Sequence, residues 1–158
     1  MAQNRIYTVS FLAVAVTVQV DLFELTPADD KPIEVLALFV GQSSDAGDAQ
    51  AELMAYSVIR GFTASGSGGT ATTPRPVSRS DTAAGFTAET CNTTLATTGT
   101  TNQLHADTFH VGSGEKLILS EGMEWSASQA DTSLVIRLAA APADSLTMSG
   151  TVYVREQG

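Results

Sequence analysis

The chain has one cysteine, so Cys91 cannot close an intrachain disulfide, and a disulfide-stapled secreted scaffold is excluded. With Glu89 and Asn92 beside it and no cation near in sequence, its thiol reads as a small packed side chain and not as a nucleophile. Charge is scarce as well: 16% of residues are charged, against about a quarter in ordinary soluble domains. Thr, Ser, Asn and Gln must therefore make the surface polar. The charge present leans acidic, net -9 with a pI near 4.4, which disfavours nucleic acid and anionic membranes as partners. Basic residues number eight and are scattered, with Arg75 and Arg79 the only close pair. No apolar run approaches the roughly 18 residues of a membrane span. Neither GxSxG nor HExxH occurs, and the two histidines do not suit a shared site. The expectation is a chain that is not an enzyme, with no catalytic, cofactor-binding or metal-binding residue to name. Carboxylates that converge from different strands as a glycosidase pair stay open, because sequence spacing does not report on them.

What is present is alternation. In Ile6 to Leu25, Val14, Val16, Val18, Val20 and Leu22 fall at every second position, with Ala13, Ala15, Thr17, Gln19 and Asp21 between them. That is the period of a strand, and it lays four valines and a leucine on one face. A stretch this long is expected to bend or to cross between two sheets. The signal-peptide reading of Phe11 to Val20 is set aside, because Arg5 is the only preceding cation and the alternation runs on into Asp21, Leu22 and Phe23.

Further strands are expected at Ile33 to Val40, Leu104 to Val111, Lys116 to Ser120, Met123 to Ser126, Ser133 to Ala140 and Leu146 to Val154. Thr26 to Pro32 is a turn, in which Asp29 and Asp30 bond the local backbone and do not bind a cation. Gly41 to Ala49 is a loop. Gln50 to Phe62 has a helix reading, with Asp48 as the cap, and a strand reading in which Met54, Tyr56 and Val58 alternate; the β-rich ending favours the strand. Gly61 to Asp81, rich in Gly, Ser, Thr and Pro, reads as a long arm without its own core. Its Gly66, Gly68 and Ala71 do not make a dinucleotide fingerprint, because no helix can open across Pro74 and Pro76. Thr90 to Thr101 is expected as an exposed or edge strand with a turn at Gly99, and its Asn92-Thr93-Thr94 sequon has no meaning without a secretory route. His105, Asp107 and Phe109 share one face of their strand and His110 the other. Trp125 reads as a core or interface anchor more readily than as a sugar platform. Residues 1–158 thus predict one all-β domain, an antiparallel β-sandwich or jelly-roll-like barrel with an arm at 61–81.

Several ordered segments together resemble small virion proteins of tailed bacteriophages: RIYTVSF with AVAVTVQVDLFEL, GQSSDAGDAQAE, VIRGFTASGSGGTATTPRP, ETCNTT, LHADTF and LVIRLAAAPADSLTMSGTVYV. The resemblance runs from Arg5 to Val154, and Val111 to Asp131 departs from it. It implies a structural virion protein, most like a head decoration or cement protein, made in the host cytoplasm without a signal peptide. Its partners would be the major capsid protein and copies of itself, with Arg75 and Arg79 meeting acidic capsid surface. Exposed threonine-rich edges suit a symmetric trimer, which the resemblance also implies. The alternatives are a receptor- or glycan-binding module of a tail fibre, and a hydrolase with its carboxylates on separate strands.

Overall fold

A computed structural model of the chain describes residues 5–44 and 52–158. Asp48 and Gln50, and most of the loop expected after Gly41, lie outside the described residues.

Among the described residues twelve strands form two antiparallel sheets, an all-β sandwich. They are β1 (Arg5–Val16), β2 (Asp21–Thr26), β3 (Ile33–Gln42), β4 (Leu53–Arg60), β5 (Thr70–Ala71), β6 (Arg75–Pro76), β7 (Thr87–Asn92), β8 (Asn102–His110), β9 (Glu115–Ile118), β10 (Trp125–Ala127), β11 (Leu134–Leu138) and β12 (Leu146–Glu156). The first sheet runs β10-β3-β12-β1-β6, with β9 also on β3; the second runs β5-β7-β2-β11-β4-β8.

The opening alternation does cross between sheets, with β1 in the first and β2 in the second. It also changes parity on the way. Tyr7, Val9 and Phe11 point inward, yet so does Val16. A β-bulge between Phe11 and Val14 inserts the extra residue, with Ala13 at φ 54 donating its N–H to Ser149 Oγ at 2.9 Å. Such a bulge flips which residues face the core and leaves Leu12 on the surface. Val18, expected inside with its neighbours, is exposed because it sits on the crossover.

Strand β4 settles the choice at Leu53–Arg60, where Met54, Tyr56 and Val58 line the core. On β12 the expected face, Leu146, Met148, Gly150, Val152 and Val154, is buried throughout. Inner-face residues of both sheets, among them Phe11, Leu38, Val152, Phe23, Leu134 and Ile136, form one cluster. Fully burying a side chain of that size contributes about 1.5–3 kcal/mol.

The 61–81 segment is no free arm. It lies on the outer face of the second sheet, joins β7 through β5, then crosses to the first sheet and joins β1 through β6. Ala64 pairs with Thr97 and Ser67 with Thr94, so the strap and residues 93–99 make a partial third layer. Phe62 and Ala96 of that layer pack on Val135. In the threonine-rich stretch Thr93, Thr94, Thr97, Thr98, Thr100 and Thr101 are exposed as expected, while Thr90, Asn92 and Ala96 are buried and β5 covers the flank of β7, so β7 is not an edge.

Candidate functional site

Glycine makes the strap possible. A Cβ on Gly68 would sit 2.4 Å from Thr93 Oγ1, and one on Gly69 would sit 2.2 Å from the Thr90 carbonyl oxygen. These glycines serve close approach to β7, with no phosphate cradle. Beneath the strap, Glu24 and Glu89 face one another across β2 and β7. The Asn92 amide donates to both, at 3.0 and 2.8 Å, and Glu24 also accepts from Ser65 Oγ (2.8 Å) and the Gly66 N–H (2.9 Å). This is a convergent carboxylate pair of the kind left open by the sequence, beside a cavity of about 290 Å3. Glu24 is 2% exposed, and both its oxygens are engaged by donors that hold the strap. The arrangement fastens a layer and leaves Glu24 no free oxygen to offer a substrate.

His105 and Asp107 do share one face of β8, with His105 Nε2 3.9 Å from Asp107 Oδ2. His105 Nε2 lies 3.3 Å from the Tyr56 hydroxyl, and its ring centroid is 5.0 Å from that of Trp125. Burial, with Glu115 and Asp107 nearby, pushes the Tyr56 hydroxyl well above the ordinary phenol range, so it stays a neutral donor. Arg60, Leu104, Leu117, Met123 and Ser126 complete a cleft of about 500 Å3 where the sheet edges part. Trp125 is buried on its floor, as a core anchor. His110 instead accepts the Gly112 N–H at 3.0 Å and closes a turn. Among the described residues no three His, Cys, Asp or Glu side chains are grouped to hold a metal. Asp29 and Asp30 form the expected turn, closed by the Lys31 N–H on the Ala28 carbonyl with Asp30 at φ 58. Cys91 is buried, and desolvation pushes its thiol up to about 12, so it is protonated and shielded.

A broader feature is the outer face of the first sheet, which no third layer of the described residues covers. Cross-strand partners share a face, so the registers read it directly. One row is Ile118, Ala37, Tyr153, Thr8 and Arg75; the next is Lys116, Phe39, Thr151 and Ser10; a third is Glu34, Arg155 and Ile6. Phe39 and Tyr153 pack edge to face, with centroids 6.0 Å apart. Two shallow grooves of about 590 and 570 Å3 meet at Phe39. Ile118 is 74% exposed and Leu12 is 83% exposed on its bulge. Alternation shows that such faces exist; which one stays bare depends on where the strap lies, and sequence did not reveal that.

No helix among the described residues is long and apolar enough to cross a membrane. No family model matches the chain, and neither does any curated protein or solved structure.

Proposed function

We propose that this chain is a structural protein of a tailed-phage virion, a head decoration protein that binds the outer capsid surface and other copies of itself. The observation that carries this reading is the asymmetry of the sandwich: one outer face is partly covered by the chain's own strap, and the other presents Phe39, Tyr153, Leu36 and Ile118 among threonines and serines. Surface of that kind supplies contact area, and the segment resemblance supplies the particle. Arg75 and Arg79 are exposed and make no side-chain hydrogen bond or ion pair among the described residues, which leaves both for an acidic surface. Reconstruction of the intact particle tests the reading. Density for this fold at symmetric positions over the head is expected, and its absence from the head overturns it.

The cleft at Arg60, His105 and Trp125 favours the second reading, a glycan-binding module of a tail fibre, because it sets donors and acceptors beside apolar walls. Density at the tail tip, with saturable binding of host-surface polysaccharide, is its expected signature.

A further inference from the structure

Taking the bare face to be a contact surface, a reading on which this inference rests, we propose that it receives a second copy of this chain. The two copies are related by a two-fold axis parallel to β12, and the Arg75–Arg79 margin of each lies over the Glu121–Glu124 margin of the other.

The face is dipolar. Along its β6 margin stand Arg75 and Arg79, with Val77, 57% exposed, between them. Along the β9–β10 margin stand Lys116, Ile118, Glu121 and Glu124, and Glu121 is exposed without a hydrogen bond or ion pair among the described residues. Arg155, on the middle strand, is shared between Glu34 at 3.0 Å and Glu124 at 3.7 Å, and with Lys116 exposed on β9 the carboxylates Glu34, Glu121 and Glu124 still outnumber the cations Arg155 and Lys116.

A two-fold axis lying in a face-to-face interface can run across the strands or along them. Across the strands, it would lay each margin on its own copy and oppose like charges. Along the strands, it exchanges the margins and matches arginine with glutamate twice. With a net charge of -9 on each copy, general contact is repulsive, and opposite charges facing one another offset that repulsion and fix the register. Charge therefore selects the axis along the strands.

Strand order supports the same choice. β12 is the middle strand of the sheet, so an axis along it sets Tyr153 against its own counterpart. It keeps each cross-strand row in register, so Ile118 lies over the Arg75 end of its own row in the other copy, with the exposed Val77 two residues further along that margin. A face about ten residues long and five strands wide spans roughly 30 Å by 20 Å, roughly 600 Å2 before side-chain relief. A standard interface buries about 800 Å2 per partner, which a corrugated face of this extent approaches. Such a contact is isologous and closes at two copies, in place of the trimer expected from the threonine-rich edges.

Sedimentation equilibrium of the full chain at low and high salt tests this. A dimer weakened by salt is expected. Arg79→Glu and Glu121→Lys should each weaken it by about tenfold, and an equimolar mixture of the two variants should restore it, since both contacts in the mixed dimer then pair opposite charges. Tyr153→Arg, with unchanged circular dichroism and urea midpoint to show an intact fold, should give monomers. A monomeric wild type, a trimer, a dimer indifferent to these changes, or a mixture that stays apart overturns the proposal. Rebinding of the chain to stripped particles is measured beside it. Dimers that fail to decorate heads defeat the virion reading and leave this one standing, and decoration by a monomer does the reverse.

Discussion

Buried Asp21 pairs with the partly buried Arg137 on the outer face of the second sheet, with Arg137 Nη2 3.0 Å from Asp21 Oδ2 and the guanidinium 4.7 Å over the Phe62 ring. The pair also grips the third layer: Asp21 Oδ2 accepts the Ala96 N–H at 2.8 Å, and Arg137 Nη2 donates to the Ala96 carbonyl at 2.7 Å. Asp21 is wholly buried. Removing its partner leaves an uncompensated carboxylate, which costs about 3–5 kcal/mol. Arg137→Met is therefore expected to lower the urea unfolding free energy by about that much, and to speed amide exchange at Ala96 more than in β12. An unchanged midpoint would show that the ion pair does not hold the layer.

Gly61 and Gly99 meet where the strap leaves β4. A Cβ on Gly99 would lie 2.1 Å from the Gly61 carbonyl oxygen, and one on Gly61 2.2 Å from that of Thr100. Both residues also have positive φ, 97° and 95°, which L side chains rarely adopt. Backbone is what a methyl would strike, and it cannot swing aside. Gly99→Ala should destabilise the chain by about 1–3 kcal/mol in thermal or urea unfolding. Gly41→Ala, where the space is open and φ is not positive, serves as the control and should cost little.

How far the sequence foretold this structure depends on the range of the interaction concerned. Alternation is local, so β3, β4, β11 and β12 could be read from their own residues. The β-bulge at Leu12 and Ala13 could not, because no glycine or proline marks it and its hydrogen bond goes to Ser149 in the last strand. The strap was misread for the same reason. Its composition is that of a loose arm, yet its anchors are Glu24, Ala88 and Ile6, which are close only after folding. The carboxylate pair Glu24 and Glu89, and the bare face opposite the strap, follow from those distant contacts. Local pattern carries information about strands and very little about which sheet face another segment will cover.

Burial of Cys91 has a pH consequence with a definite sign. Desolvation pushes the thiol up to about 12 from its ordinary value of 9.0, so the folded chain holds the thiol proton more tightly than the unfolded chain does. The resulting stabilisation is complete below pH 9 and declines as pH rises toward 12. Urea midpoints should fall over that window in the wild type and fall less steeply in Cys91→Ala, read as a difference because Tyr56 is shifted in the same direction. Alkylation should agree: at pH 8 iodoacetamide should label the native chain far more slowly than the urea-unfolded one. Equal rates would place the thiol at the surface.

Deletion of residues 63–79 should not leave an intact body. The strap supplies Glu24 with the Ser65 hydroxyl and the Gly66 N–H, and it covers the flanks of β7 and β1. Without it, Glu24 loses the Ser65 and Gly66 donors, and Glu24, Thr90 and Asn92 meet solvent together with the apolar contacts of Phe62 and Ala96 on Val135. The deleted chain is expected to expose apolar surface, bind 1-anilinonaphthalene-8-sulfonate and unfold at much lower urea. The milder Ser65→Ala, which removes a single donor, should cost about 1 kcal/mol and leave a cooperative transition. A deletion variant with the wild-type midpoint would return the segment to the status of a free arm, and would move the origin of the bare and covered faces to the sheets themselves.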